Sequence, residues 1–387
     1  MEAQPEIHLF LIWSKGLPAR DQVAADIAQH FTCLETVAVS WSAGRFSENL
    51  SRFYGENLPK NSSKEKHCGT GTFLCFVVRD EKPRYELRET SKGIKPVNIN
   101  LFDAKQRYRE WTGGGHRIHG TDNVREAQNN LYMLFGVPYQ RFLEAKGSIL
   151  PDAWDADLIG SDGWDSLDAM FAAFNELANY VVLRNFRDIQ TELENLHPDI
   201  DLLTDNKRLI VDIANGKPTT GKKYRVQYRT LVGGKQVFLD VRHVGDGYYD
   251  ARWERDLLDT RVGYENLYVP DGEAHFYSLM YHAYYHKEQL SRDYIEKLMA
   301  LAPAASLTYT LRSFLHNNVL SDLDAYMARK GYRYSEPADT TVFLNAKAME
   351  PYARLGYSPL RRRYERKRSL KKLVKKVLVK LGLMTAG

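Results

Sequence analysis

Apolar and polar positions along this chain switch between a two-residue and a helical period, which predicts alternating strands and helices. Ile7–Ser14 reads as a buried strand ended by Lys15-Gly16-Leu17-Pro18, and Val23, Ile27 and Phe31 then recur at helical spacing. Leu34–Trp41 and Phe73–Val78 read as strands with a helix, Phe46–Tyr54, between them, and the polar stretch Lys60–Lys66 reads as a loop. A further helix spans Asn123–Phe135, and residues 136–165 are rich in turn formers, as a linker would be. Leu167, Met170, Phe171, Phe174 and Leu177 then mark an amphipathic helix leading into a strand at Tyr180–Leu183. After a helix at Asn206–Asn215 comes a strand at Lys235–Arg242, preceded by a Gly233-Gly234 turn. Helices follow at 272–287, Ser291–Ala300, Leu307–Leu315 and Leu320–Lys330.

This order predicts an α+β protein: an N-terminal α+β domain over 1–140, a linker over 141–162 and a mixed-sheet domain over 163–270. A helical subdomain over 271–350 and a basic tail over 351–387 complete it.

The candidate chemistry centres on His197-Pro198-Asp199-Ile200-Asp201-Leu202-Leu203. In a strand, residues two apart share a face, so Asp199 and Asp201 stand side by side while Ile200 and Leu202 bury on the other. Two carboxylates so placed repel unless a cation lies between them, and Mg²⁺ carrying substrate phosphates is the usual answer. Asp240, flanked by apolar residues on its own strand, is a third acid that could close a site for one or two Mg²⁺ ions. The alternative is three exposed polar positions on half-buried strands. The Gly216-Lys-Pro-Thr-Thr-Gly221-Lys222-Lys223 loop fails the P-loop pattern, because Lys223 stands where Ser or Thr is needed.

These residues carry a resemblance. Asn179–Asn185, then Asp199-Ile-Asp201-Leu-Leu, then Phe238-Leu-Asp240 resembles the nucleotidyltransferase-fold superfamily, and within it the bacterial uncharacterised and the fukutin-related and LicD-like branch. The resemblance covers about residues 160–300. It implies metal binding by Asp199, Asp201 and Asp240, and phosphate binding at the turn held here by Arg184 and Asn185, where the family has Gly-Ser. It also implies transfer of a nucleotidyl, phospho-alditol or sugar-phosphate group from a nucleotide-activated donor to a glycan or lipid-linked acceptor in bacterial surface-polysaccharide synthesis. Tyr248 and Tyr249, in the turn after Asp240, could line the acceptor pocket with His282, or the turn could simply be capped by Asp250 before a helix.

The first domain carries a second resemblance. Ile118-His119-Gly120-Thr121-Asp122-Asn123 is similar to the Ile-His-Gly-Ser-Asp-Ser signature of nucleoside diphosphate kinases, whose fold is ferredoxin-like. That implies a phosphorylated His119, with Lys15, Tyr54 and Arg107 holding phosphate. The family's helix glutamate falls at Asn130 and its asparagine before the histidine at His116, and the lysine register is off by one. A histidine satisfied at a helix start, in a fold without that chemistry, is the alternative.

Composition narrows the picture. The 387 residues are 43% hydrophobic and 27% charged, ordinary for a globular chain of two or three domains. Cys33, Cys68 and Cys75 form no ligand spacing, which fits a reducing compartment, and no apolar run reaches the ~18–20 residues of a membrane span. The net charge of +5 is uneven: residues 361–380 hold eleven Lys and Arg against one Glu, leaving −5 for the rest. An acidic body argues against a nucleic-acid partner. Within the tail, Leu370, Leu373, Val374, Val377, Leu378 and Leu381 form one helical stripe. Arg361, Arg362, Arg363, Lys371, Lys372, Lys375 and Lys376 are then expected to meet an anionic membrane. The expectation is a cytoplasmic protein, peripheral on the inner face of the membrane; a homo-oligomer is compatible with it. A non-catalytic nucleotide- or glycan-binding scaffold, also recruited to the membrane, is the competing reading.

Overall fold

The computed structural model describes residues 4–90, 93–187, 189, 198–222, 225–315, 319–345, 350 and 357–380. Two compact units divide the chain, residues 1–178 with 208–216 and 231–234 in the first, and the remainder in the second. The architecture is α+β, with mixed sheets and helices.

The first unit is built on β1 (Glu6–Ile12), α1 (Arg20–His30), β2 (Thr32–Ser40), α2 (Phe46–Tyr54), α3 (Ser63–Cys68) and β3 (Phe73–Asp80). A ribbon, β4 (Tyr85–Thr90) and β5 (Gly93–Asn98), precedes α4 (Ile99–Trp111), β6 (Ile118–Gly120) and α5 (Val124–Phe135). The sheet order β6-β1-β3-β2, antiparallel at each of these pairings, with α1 and α4 as crossovers, is the ferredoxin-like βαββαβ arrangement. The apolar run of β1 has no polar alternation because both its faces are buried, with Leu9, Phe10, Leu11 and Ile12 fully so.

Two segments of this unit differ from their expected form. Lys60–Lys66 is not all loop, since Ser62 caps α3 by accepting from Glu65 N–H. The expected linker, 141–162, is ordered structure: it holds the end of α6 (Tyr139–Glu144) and β7 (Ala153–Asp155), which pairs in parallel with β2. Turn-forming residues punctuate this segment without freeing it, and Asp157 accepts from Ser42 N–H and Asn49 Nδ2. The unit closes with α7 (Leu167–Leu177).

The second unit contains the sheet β10-β11-β12-β9-β8. Its strands are β8 (Tyr180–Val182), β9 (Asp199–Thr204), β10 (Lys217–Pro218), β11 (Gln227–Val232) and β12 (Lys235–His243); α8 (Lys207–Ile213), all but its first residue assigned to the first unit, follows β9 in the chain. β9 runs antiparallel to β8 and parallel to β12. Then come α9 (Ala251–Asp259), a ribbon of β13 (Val262–Tyr264) and β14 (Leu267–Val269), and α10 (Gly272–Tyr285). The remaining described helices are α11 (Arg292–Leu301), α12 (Leu311–Leu315), α13 (Leu320–Lys330) and α14 (Pro359–Lys380). α12 is shorter than expected, beginning at Leu311 rather than Leu307. The core is strongly aromatic, with Trp253 stacked on Tyr332 at 5.1 Å and Tyr277 on Tyr326 at 3.8 Å. Among the described residues no helix is long and apolar enough to cross a membrane.

Candidate metal centre

β9 and β12 each bury one wholly apolar face and carry the acids on the other, beside Phe238 and Leu203. Ile200, Leu202, Val237, Leu239 and Val241 are buried, and the intervening positions Asp199, Asp201 and Asp240 share the other face. Parallel pairing sets Asp240 directly opposite Asp201, and Asp199 lies two residues back on the same side. One carboxylate oxygen from each of the three comes within 4.8 Å of the others. All three sequence-predicted ligands are thus brought together. His197, from the same stretch, lies outside the described residues.

The electrostatics are those of an anion cluster only partly answered by Arg184 and Arg242. Burial, reinforced by Asp240 and Asp201, pushes the Asp199 carboxyl up to about 8. Burial and then Asp201 push Asp240 up as well. Asp199 Oδ1 and Asp240 Oδ1 are buried without a hydrogen-bond partner, a costly state unless a cation takes their lone pairs. Asp201 differs, because the Arg184 guanidinium donates to its Oδ1. A hard divalent cation with oxygen ligands, Mg²⁺ above all, fits this donor set, the two orphaned oxygens being the decisive feature.

Arg184 follows β8 and so enters from the far side of β9. Next to it, Asn185 adopts φ +58°, a conformation asparagine tolerates, and its Oδ1 accepts from Lys297 Nζ at 3.1 Å. Arg184, Asn185, Arg187, His275 and Lys297 line a cavity of about 260 Å³ with Phe186 and Leu279. Burial, helped by Arg187 and Arg184, takes His275 down to about 4, so its ring is neutral at physiological pH. Sequence reasoning found Arg184 and Asn185 but not Arg187, Lys297 or Arg242. Arg242 was readable in part: it lies two residues beyond Asp240 on one strand, hence on the same face, and packs 4.3 Å over the Tyr248 ring.

Tyr248 and Tyr249 do not line an acceptor pocket, because both are buried in the aromatic core. Asp250 caps α9 by accepting from Arg252 N–H, and Glu254 accepts from the N–H groups of Gly245 and Tyr249, so the turn is ordered from within. His282 is likewise buried, its two ring nitrogens facing the hydroxyls of Tyr248 and Tyr294. A neutral imidazole donates to one tyrosine and accepts from the other, so His282 cross-links the core beside the acids.

In the first unit, His119 on β6 is buried, and its Nε2–H donates to Asn130 Oδ1 at 2.9 Å. The rings of Phe53 and Tyr54 lie 5.2 and 5.3 Å away, edge-on. Burial lowers its proton affinity, and a neutral amide supplies none of the charge that a carboxylate would. Tyr54 lies beside His119, its hydroxyl accepting from Trp13 Nε1. Lys15 instead donates to the Lys66 carbonyl, and Arg107 is committed to Asp26 of α1, so neither is turned to a phosphate at His119.

The residues expected to meet a membrane also divide. Arg361 is fully buried and is not a surface cation, whereas Arg362 and Arg363 are exposed. The side chains of Lys371, Lys372, Lys375 and Lys376 lie outside the described residues.

Comparison with known proteins adds little. No protein-family model matches the chain, and no curated protein matches it either. Among solved structures, the nucleoside diphosphate kinase of Aquifex aeolicus, in an orthorhombic C222 crystal form, is similar over 37% of this chain and 96% of its own. Its sequence identity is 14% and the TM-score 0.24, too low to bear on fold or function. The ferredoxin-like order stands on the strand pairing of this chain alone.

Proposed function

We propose that the second unit is a Mg²⁺-dependent phosphotransferase of the nucleotidyltransferase type. The observation that carries this reading is the convergence of one oxygen each from Asp199, Asp201 and Asp240 within 4.8 Å, in a cluster where Asp199 and Asp240 each also bury an orphaned oxygen. Asp199, Asp201 and Asp240 would hold the ion, which when bound neutralises charge on a transferred phosphoryl group. Arg184 would exchange Asp201 for a donor phosphate oxygen, since its fork can serve either anion. The cavity beside it, with Arg187 and Lys297 at its wall and Phe186 and Leu279 as its apolar part, suits the phosphate-bearing end of a nucleotide-activated donor. The wider expectation, transfer of a nucleotidyl, phospho-alditol or sugar-phosphate group to a glycan or lipid-linked acceptor at a bacterial membrane, rests on the resemblance alone.

The test is thermal stability in the presence of nucleotides and CDP- or UDP-linked donors, with and without Mg²⁺, followed by product analysis. A Mg²⁺-dependent rise in melting temperature, absent in Asp199→Ala/Asp201→Ala, with product from the same donor, supports the enzyme. Metal-dependent binding without product supports the scaffold reading, which the neutral Asn130 beside His119 favours for the first unit.

A further inference from the structure

The basic tail was expected to lie on a membrane by one apolar stripe, with its cations, from Arg361 on, at anionic headgroups. The structure assigns a narrower and different surface. α14 is rooted at its first turn, where Ser358 caps it by accepting from Arg361 N–H and is itself held by Glu336. The Arg361 guanidinium turns inward and donates to the carbonyls of Pro337, Asp339, Thr340 and Val342. One and two turns later the same side is held again, with Glu365 near Arg361, and Arg368 near Glu288 and 4.9 Å over the Phe343 ring.

That rooting fixes what the rest of the helix presents. At 3.6 residues per turn, Arg363, Arg366, Lys367, Leu370, Leu373 and Val374 lie on the side away from Arg361, Glu365 and Arg368. All six are exposed, the three apolar ones at 61%, 58% and 48%. The outward stripe is therefore cationic for its first two turns and apolar for the next, and the sequence continues the apolar spacing at Val377, Leu378 and Leu381.

We propose that this stripe docks on an anionic lipid surface, the three cations at the headgroups and the leucines and valine in the acyl boundary. The occupant follows from the two chemistries in sequence. A nucleic-acid backbone would use the cations and leave the apolar residues in water, whereas a second protein copy would place cations against cations. The inference does not depend on the acid cluster being catalytic.

The test is co-sedimentation of the full chain with vesicles of phosphatidylcholine alone and with phosphatidylglycerol added. Binding should appear on the mixed vesicles and be weak on the neutral ones. Leu370→Ser/Leu373→Ser/Val374→Ser should lower it at least tenfold, and Arg363→Gln/Arg366→Gln/Lys367→Gln by roughly a hundredfold, about fivefold for each cation lost. Because all six side chains are exposed, the thermal midpoint of both variants should match the parent chain. Equal binding to both vesicles, or a triple-serine variant that binds like the parent, would overturn the proposal. So would duplex DNA binding that outcompetes vesicles, or self-association that the serine variant abolishes with vesicle binding intact.

Discussion

Asp240 faces Asp201 across two parallel strands, and of the three clustered acids only Asp201 is directly ion-paired among the described residues. The Arg184 guanidinium bonds Asp201, leaving Asp240 and its neighbour Asp199 with buried, unpartnered oxygens. A folded protein carries such a deficit when something absent from the polypeptide repays it.

The first consequence is a pH dependence of opposite sign to that of a salt-bridged carboxylate. Asp199 is raised to about 8 in the folded chain, against about 4 for an unfolded aspartate. The folded state thus holds a proton that the unfolded state has released, so stability without metal falls as pH rises from about 4 to about 8. Mg²⁺ binding must expel that proton, and the metal-induced rise in melting temperature should grow over the same window. Melting curves at pH 5, 7 and 9, with and without Mg²⁺, check this; a metal effect independent of pH counts against the cluster.

Replacing one of the repelling acids should separate stability from metal binding. Asp240→Asn removes a buried negative charge from beside Asp199, and the metal-free protein at pH 8 should gain on the order of 1 kcal/mol. The Mg²⁺ shift should vanish in the same variant. Denaturant titration reads both, and a loss of stability without metal would mean that Asp240 has a partner the account lacks.

Arg184→Gln should do the reverse. Asp201 would be left buried without its ion-pair partner, at a cost of roughly 3 kcal/mol in the metal-free protein. Mg²⁺ should recover much of that loss, because the ion supplies the missing positive charge. A metal-free variant as stable as the parent would show the pair to be incidental.

His119 supplies an independent check on the first unit. Burial lowers the proton affinity of its imidazole, so in NMR spectra its ring resonances should titrate below the ordinary histidine range near pH 6.5. Asn130→Glu would place a carboxylate on Nε2–H and should bring protonation up into that range. Titration of the parent at an ordinary histidine value would contradict the burial argument.

The acids were legible because a strand's two-residue period turns Asp199-Ile200-Asp201 into a statement about faces. Asp240 was legible as an acid flanked by apolar residues on its own strand, but the register that sets it opposite Asp201 is a long-range property of β9 and β12. Arg361 was misread because a residue that begins a basic run looks like its neighbours. Only the carbonyls of 337–342, some twenty residues upstream, turn it inward. Tyr248 and Tyr249 looked like stacking residues because their turn is glycine-rich. Their burial depends on Glu254, His282 and α10, none of which the local sequence announces. The 141–162 segment was misjudged for a similar reason: edge strand β7 spans only three residues and is defined by β2.

The central claim is most directly tested by diffraction from crystals soaked in Mn²⁺, an anomalous scatterer that accepts the same oxygen ligands as Mg²⁺. The account predicts one or two anomalous peaks between Asp199, Asp201 and Asp240, at roughly 2.0–2.2 Å from their oxygens. Soaked crystals with no peak there, or with all three carboxylates answered by protein side chains, would contradict it.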